Sequence, residues 1–457
     1  MSKVYVNFEK RVGDIRPMHA VNNGPSCNPR SNLGAWGIEQ KNGNLEEYIA
    51  AGIPYARTHD ASYHAKYGLE HTVDVHAIFP DFDKDPEDPA SYDFVCTDHY
   101  MDMIEAGGAK IFYRLGSRIE HEVKKYGTLP PKDYKKWAVI CEHIIRHYTE
   151  GWADGTCRDI EYWEIWNEPD LDADDSSNKR NWGGTKKEFF EFYHVAATHL
   201  KNAFPHLKIG GPASSFNMEW VEEFIAQLKA PLDFFSWHTY AFKPETFVEN
   251  AKRVRELLDR HGYVNTESIL NEWNYVKAWV GREYRYSRAV AKTAKGAAFN
   301  LSSMIECQKA GVDMLMYYDA NPSTTFNAIF DFDSIDSFVT TAYYAFPMFN
   351  ELYKLGEEVE SFSDAPNIYV MGATGEDRAA IVFTHYNDDD SAEPMRVSIE
   401  LCGFAKDSKT VASVYRVDDN KQYAFVENIT FFGERLVIER DIPNYTSYLL
   451  KLKIESR

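Results

Sequence analysis

The chain has 457 residues, with 70 acidic against 50 basic side chains, which gives a formal net charge of -20. Such an acidic balance disfavours binding to nucleic acid or to an anionic membrane surface. The six cysteines form no C-x-x-C pair, so the sequence indicates neither a zinc knuckle nor a redox dithiol. Residues 1–10 do not resemble a signal segment and no apolar run reaches about 20 residues, so we expect a cytoplasmic protein without a membrane partner.

Between residues 14 and 355, short apolar runs alternate with longer amphipathic stretches. Eight runs are predicted to be strands: Ile15 to Val21, Ile53 to Thr58, Lys110 to Leu115, Ile160 to Trp166, Leu207 to Pro212, Leu232 to Tyr240, Ser268 to Asn274 and Val312 to Asp319. The predicted helices between them are Tyr92 to Ala106, Asp133 to Tyr148, Lys186 to Phe204, Glu245 to His261 and Ser287 to Lys309. Eight βα units predict an α/β fold of the (β/α)8 TIM barrel type over residues 14–355.

After Leu355 the pattern changes to short alternating strands separated by turn residues. The predicted strands are Asn367 to Met371, Ala379 to His385, Arg396 to Glu400, Lys409 to Val417 and Ser447 to Leu452. This pattern predicts a C-terminal accessory β-sandwich domain made of residues 1–13 plus 356–457, in which the N-terminal strand Lys3 to Phe8 pairs. The run Asp388 to Asp390 is interpreted as a solvated hairpin loop without the spaced oxygen ligands of a calcium site.

Two glutamates follow predicted barrel strands at the carboxyl end, where active sites of such barrels form. Glu168 lies in IWNEP after the fourth strand, and Glu272 lies in LNEWN at the end of the seventh. A carboxylate placed among tryptophans is costly unless hydrogen bonds or a function hold it there. Glycosidic cleavage uses such a pair, separated by about 5 to 5.5 Å for retention and about 6.5 to 9.5 Å for inversion of configuration.

The two motifs, in this order and on these strands, resemble those of glycoside hydrolase family 39, a family of retaining (β/α)8 enzymes. The resemblance extends over nearly the whole chain and implies that Glu168 is the acid/base and Glu272 the nucleophile. It also implies that Asn167 contacts the sugar 2-hydroxyl and that Arg57 and Tyr240 lie near the nucleophile. As general acid, Glu168 is expected to carry the proton that the leaving group takes.

Other strand ends supply candidates for sugar binding. Besides Asn167, Arg57 and Tyr240, the predicted substrate-binding residues are His59, His238, Trp273 and Tyr318. Asp60 and Asp319 are weaker candidates, and the loop aromatics considered as stacking walls are Trp36, Tyr63, Tyr67, Trp182 and Trp279. The segment with His59, His64, His71 and His76 has no metal-ligand spacing, so we predict neither a metal nor a cofactor.

The family resemblance implies an enzyme similar to a β-xylosidase that acts on an oligosaccharide or glycoside. The long aromatic loops Tyr63 to Pro89 and Ala173 to Gly184 could close a pocket, so we expect exo action that removes a terminal pentose. An arabinose-releasing enzyme (arabinofuranosidase or arabinopyranosidase) or another specificity of family 39 is the alternative within the class, because the YYDAN segment after strand eight departs from the tryptophan of many relatives. A non-catalytic carbohydrate-binding barrel is the alternative of another class. Acidic charge and sheet edges also permit a homo-oligomer.

Overall fold

The computed structural model of the protein describes residues 2–25, 43–59, 72–322, 324–332 and 337–455. Several residues considered above lie outside this described part of the chain, namely Cys27, Trp36, Asp60, Tyr63, His64, Tyr67 and His71.

Eight parallel strands close into a barrel. They are β2 (Ala20–Asn22), β3 (Tyr55–Arg57), β4 (Lys110–Leu115), β5 (Tyr162–Ile165), β6 (Lys208–Ser214), β7 (Phe234–Ala241), β8 (Glu267–Tyr275) and β9 (Met314–Tyr317). Each strand hydrogen-bonds to the next along the chain, and β9 returns to β2 through the pair Val21 and Tyr317. All eight predicted barrel strands are present, although the first lies later than predicted, since β2 shares only Ala20 and Val21 with the predicted run Ile15 to Val21. The prediction was possible because both faces of such strands are covered and their sequences are correspondingly apolar.

Helices surround the barrel and cover it. Those in the described residues are α1 (Leu45–Ala51), α2 (Val75–Ile78), α3 (Val95–Ala106), α4 (Tyr134–Thr149), α5 (Lys186–Ala203), α6 (Met218–Gln227), α7 (Pro244–Arg260), α8 (Gly281–Val290), α9 (Ala294–Lys309) and α10 (Ala345–Tyr353). The single helix predicted from Ser287 to Lys309 is wrong, because the chain breaks after α8 and begins α9 at Thr293. The hydroxyl of Thr293 accepts a hydrogen bond from the Lys295 amide and so caps the new helix.

A second sheet, counted over the described residues, has nine mostly antiparallel strands. They are β1 (Ser2–Asp14), β12 (Glu357–Ser363), β13 (Ile368–Thr374), β14 (Arg378–His385), β15 (Met395–Cys402), β16 (Lys409–Asp418), β17 (Lys421–Phe432), β18 (Arg435–Ile442) and β19 (Thr446–Glu455). A short hairpin, β10 (Phe330–Phe332) with β11 (Ser337–Val339), forms a separate small sheet.

The nine-stranded sheet rolls back on itself around a core of its own. Its order is β17-β16-β19-β14-β13-β12-β1-β15-β18, so β17 and β18 are the two end strands. These ends meet, because Arg440 on β18 forms an ion pair with Glu427 on β17 at 2.5 Å. Apolar residues from both halves of the sheet share one buried cluster. The predicted β-domain is thereby confirmed, including the N-terminal strand, which pairs antiparallel with β12 and parallel with β15. The predicted boundaries at residues 13 and 355 stay a prediction.

The loop that joins β14 and β15 contacts the barrel. Asp388 accepts hydrogen bonds from Tyr275 at 2.6 Å and from Lys277 at 2.7 Å, and Asp390 pairs with the buried Lys295 at 2.8 Å. The interpretation of this acidic run as a purely solvated loop is therefore wrong, because two of its carboxylates neutralise lysines of the barrel. Separately, no helix in the described residues is long and apolar enough to cross a membrane.

Candidate active site

Glu168 lies just past the end of β5, in a turn whose backbone conformation residues other than glycine seldom adopt. Trp166 and Glu168 have φ angles of 77° and 43°, in the left-handed region. The amide of Trp166 donates to the Leu115 carbonyl, and that of Glu168 donates to the Ala213 carbonyl. Neighbouring strands thus hold a conformation that would otherwise cost about 1–3 kcal/mol per residue, and the turn directs Glu168 into the barrel mouth.

Glu272 is placed by a bulge in β8. Trp237 pairs with Leu270 and His238 pairs with Glu272, so Asn271 is an extra residue between them. Bulges of this kind re-aim side chains, and here two successive side chains both face the barrel interior. The Asn271 amide donates to Glu164 at 2.5 Å, while the Glu272 carboxylate lies one level higher, at the mouth.

The two glutamates lie close together on either side of a histidine. One side-chain ligand atom from each of Glu168, His238 and Glu272 lies within 4.8 Å of the other two. Nδ1 of His238 is 2.8 Å from Oε1 of Glu168 and 3.4 Å from Oε2 of Glu272. Burial alone would lower the pKa of His238, but the two carboxylates outweigh it and the pKa is raised.

Glu272 is buried among donors. Arg57 Nη1 lies 2.9 Å and His59 Nε2 3.3 Å from its Oε1, and the Tyr240 hydroxyl donates to Oε2 at 2.9 Å. Burial opposes ionisation of this carboxyl group, but the charges of His238, His59 and Arg57 and the Tyr240 hydrogen bond outweigh it, so the pKa of Glu272 is lowered. Burial and both glutamates raise the pKa of Tyr240 well above its ordinary value, so its hydroxyl stays a donor.

Arg57 is fully buried and distributes its hydrogen bonds over four acceptors. Its Nε donates to Glu164 at 2.7 Å, Nη1 donates to Asn22 at 3.0 Å as well as to Glu272, and Nη2 donates to Asn167 at 2.7 Å. The fixed fork of the guanidinium thereby sets the positions of both the Glu272 carboxylate and the Asn167 amide.

Two residues of the site were not predicted from the sequence. Glu164, fully buried on β5, accepts from Arg57, from the Ser236 hydroxyl at 2.6 Å and from Asn271. A charged residue inside an apolar strand, in the segment YWEIW, is the signal that marks it. Asn181 donates from Nδ2 to Glu168 Oε2 at 3.1 Å, and no pattern in its loop indicates this contact.

An aromatic rim adjoins the Glu272 side of the site. The Tyr240 ring lies 4.9 Å from Trp279 and 5.7 Å from Phe326, and the Tyr318 ring lies 5.5 Å from both Phe326 and His59. Phe326 was not predicted. Trp279 is 58% exposed, which is unusual for an aromatic ring of this size.

Two predicted tryptophans are not brought into the site. Trp273 is fully buried and packs on Phe247, Phe299 and Tyr317, because it follows Glu272 on the strand and so points to the opposite face. Trp182 is also buried and packs on Trp166. The structure contradicts a sugar-stacking role for either ring.

The weaker candidate Asp319 is buried and accepts hydrogen bonds from Asn23 at 3.0 Å and Thr324 at 2.7 Å. These contacts give it a structural role in the segment after β9. The structure brings together the other eight predicted catalytic and binding residues at one mouth: Glu168, Glu272, Asn167, Arg57, His59, His238 and Tyr240, with Tyr318 beside them.

The arrangement can perform two-carboxylate chemistry. One carboxylate oxygen of Glu168 lies within 4.8 Å of one of Glu272, which favours the approach of about 5 to 5.5 Å of retaining glycosidases over that of about 6.5 to 9.5 Å of inverting ones. Within the described residues, Glu168, His238 and Glu272 are also the group whose atoms could hold a metal ion, but Arg57 and His59 already place donors there. A (β/α)8 barrel with this pair at its carboxyl end defines a protein of the glycoside hydrolase class.

Comparisons with known proteins agree with that class. The model of glycosyl hydrolases family 39 matches residues 57–425. A β-xylosidase from Caldicellulosiruptor saccharolyticus is 24% identical over 97% of this chain and 88% of its own length, and one from Geobacillus stearothermophilus is 25% identical over 62% of each. The chain thus spans less than two thirds of the Geobacillus protein. A crystal structure of a glucosidase from Croceicoccus marinus has a TM-score of 0.78 at 22% identity, with full coverage of both chains, and shows the same fold.

The family match covers well over half of the chain. The chain therefore belongs to glycosyl hydrolases family 39 and is a glycoside hydrolase similar to β-xylosidases.

Proposed function

We propose that this enzyme removes a terminal pentose from a glycoside by double displacement, in the manner of a β-xylosidase, with Glu272 as nucleophile and Glu168 as acid/base. The observation that carries the proposal is the placement of both carboxylates within 4.8 Å while four donors hold one of them, Glu272, in its ionised form. Retention requires this asymmetry, because one group attacks and the other delivers a proton.

In the first step the Glu272 carboxylate attacks the anomeric carbon, the bond to the leaving oxygen breaks, and Glu168 gives its proton to that oxygen. Tyr240 and Arg57 orient the attacking oxygens, since each donates to a different oxygen of the Glu272 carboxylate. We assign Asn167 to the 2-hydroxyl of the sugar, and its hydrogen bond from Arg57 supports this role because it fixes the side-chain amide beside Glu272.

In the second step Glu168, now a carboxylate, takes a proton from water while the water oxygen attacks the anomeric carbon and Glu272 leaves. Asn181 and His238 each lie within hydrogen-bond distance of a different oxygen of the Glu168 carboxylate. These two contacts hold the Glu168 carboxylate in place during this step.

The pentose assignment is supported by the relatives, two of which are β-xylosidases. The test is a panel of 4-nitrophenyl pentosides and hexosides of both anomeric forms, with product configuration followed by NMR from the earliest time points. We expect one β-linked pentoside to be hydrolysed fastest and its product to appear first as the β-anomer. If an arabinoside is hydrolysed fastest, the substrate assignment changes from a xyloside to an arabinoside. A product of inverted configuration would refute double displacement.

The nucleophile is tested with Glu272→Ala, which should reduce kcat by more than 10⁴-fold on every active substrate of the panel. The matched control is Glu249→Ala, on the exposed side of α7, which should retain full activity. Substantial activity of Glu272→Ala, in protein shown to be folded, would exclude Glu272 as the nucleophile.

A further inference from the structure

Trp279 presents a flat aromatic surface to solvent beside the catalytic residues. It lies in the segment between β8 and α8, is 58% exposed, and its ring centroid is 4.9 Å from that of Tyr240. Aromatic faces bind the apolar C–H face of a pyranose ring while the sugar hydroxyls stay in water, so an exposed ring at this place has a ready ligand.

The position of Trp279 indicates which sugar ring it would contact. The hydroxyl of Tyr240 touches the nucleophile Glu272, at 2.9 Å, and Trp279 packs edge-on against the Tyr240 ring. Trp279 is therefore separated from the nucleophile by the Tyr240 side chain. At that distance Trp279 would contact the sugar next to the one that Glu272 attacks. In an exo-acting enzyme this next sugar is the leaving-group sugar.

The segment that carries Trp279 is held by the nine-stranded sheet. Lys277, two residues before Trp279, donates to Asp388 at 2.7 Å, and Tyr275 donates to the same carboxylate at 2.6 Å. From the same loop, the Tyr386 hydroxyl donates to the carbonyl of Phe242, two residues after Tyr240. One loop of the sheet thus braces the chain on both sides of the aromatic rim.

The contact between this loop and the barrel includes a largely buried group of charged side chains around Asp388. Lys295, 3% exposed, lies 3.1 Å from the Asp388 carboxylate and also donates to the Asp388 carbonyl at 2.7 Å. Burial opposes ionisation of Asp388, but its bonds to Lys277, Tyr275 and Lys295 outweigh it and its pKa is lowered. A cluster of this kind fixes the loop geometry more firmly than an exposed ion pair would.

We propose that the exposed ring of Trp279 binds the leaving-group sugar and that Asp388, on the nine-stranded sheet, holds this platform in place. This inference rests on the proposed glycosidase function and assigns the sheet a part in substrate selection. Trp279 is the binding residue, and Asp388 is a positioning residue that acts through Lys277 and Tyr275.

The test compares two substrates that share the preferred sugar, a disaccharide and the glycosyl fluoride, because the fluoride has no leaving-group ring. Trp279→Ala should raise KM for the disaccharide about tenfold and leave kcat/KM for the fluoride within about twofold, as expected for loss of one stacking contact. Trp279→Phe should restore much of the disaccharide KM. Phe432→Ala, on the exposed side of β17, is the matched control and should change neither substrate.

Asp388→Asn should raise KM for the disaccharide by less than Trp279→Ala does and should leave kcat/KM for the fluoride nearly unchanged. The double variant of Asp388→Asn and Trp279→Ala should have no higher KM for the disaccharide than Trp279→Ala alone. Asp390→Asn controls for general weakening of the contact between sheet and barrel, since Asp390 pairs with Lys295 and Tyr286 but not with Lys277. It should leave the disaccharide KM unchanged.

The proposal is overturned if Trp279→Ala affects both substrates equally or affects neither. Additive effects of Asp388→Asn and Trp279→Ala would overturn the positioning role alone. Failure of the proposed function would look different, because the unmodified enzyme would then hydrolyse neither the fluoride nor the disaccharide.

Discussion

Replacing Arg57 with methionine removes the cation on which the site is organised, while it keeps much of the side-chain volume. Arg57 is completely buried and binds the carboxylates of Glu164 and Glu272 at 2.7 and 2.9 Å. Without it, both carboxylates stay buried and lose a charged partner, and Asn22 and Asn167 lose a donor.

Breaking a buried ion pair by removing one partner costs about 3–5 kcal/mol, because an uncompensated charge remains in the interior. We therefore expect the free energy of unfolding at pH 7 to fall by about that amount. Activity should fall more than 10³-fold, since Arg57 also fixes the oxygens that attack and the amide of Asn167.

The destabilisation should depend on pH with a definite sign. The pKa of Glu272 in the folded protein lies below its ordinary value of 4.5, so this group stabilises the wild-type fold above that pH and the contribution is lost as pH falls through the folded value. In Arg57→Met the pKa of Glu272 rises, and protonation at low pH relieves the buried charge. The stability difference between the two proteins should therefore be largest near neutral pH and should narrow toward pH 4.5.

Urea unfolding at pH 7 and at pH 4.5, combined with kcat/KM on the best panel substrate, measures both effects. Arg396→Met, which breaks an exposed pair with Glu439 and Asp441 on the sheet, is the control and should leave the midpoint unchanged. The prediction is refuted if Arg57→Met is as stable as the wild type at pH 7, or if its loss of unfolding free energy is larger at pH 4.5 than at pH 7.

Three further predictions concern catalysis. Glu168→Ala should retain far more activity on aryl glycosides with good leaving groups than on alkyl glycosides, because the former need little proton donation; equal losses would count against its role as acid. Tyr240→Phe removes one hydrogen bond to the charged Glu272 and should lower kcat/KM about 10- to 100-fold, whereas an unchanged value would show that the phenol does not orient the nucleophile. Turnover should persist after dialysis against EDTA, and activity that returned only with added metal would contradict a two-carboxylate mechanism.

The barrel could be predicted because its strands are covered on both faces and therefore appear in the sequence as continuous apolar runs. Three strands of the second sheet, β12, β17 and β18, were missed, and the last two were missed for the opposite reason. β17 and β18 form the ends of that sheet, and both are largely exposed and carry charged residues, so they lack the apolar pattern on which the prediction depended.

Within the site, the residues found from sequence lie in or just after the carboxyl-end part of a barrel strand, such as His238 in β7 and Glu168 after β5. Glu164 was missed because it contacts Arg57 across 107 residues of the chain, and Asn181 was missed because its loop has no pattern that indicates its contact with Glu168. The prediction that Trp273 binds substrate was wrong, although the alternation of side chains along a strand indicates its true position. Its neighbour Glu272 faces the mouth, so Trp273 points to the opposite face of the strand.

The charges around the two glutamates explain how one set of donors can serve both chemical steps. In the resting site His238 lies between two carboxylates, and Glu272 is the strongest of the charges that raise its pKa. When Glu272 becomes esterified it loses its negative charge, so the pKa of His238 should fall, while Arg57 keeps its positive charge. Glu168 is then the remaining carboxylate at the mouth, with Asn181 and His238 still within hydrogen-bond distance. In the proposed mechanism, Glu168 is then the group that takes the proton from water in the second step.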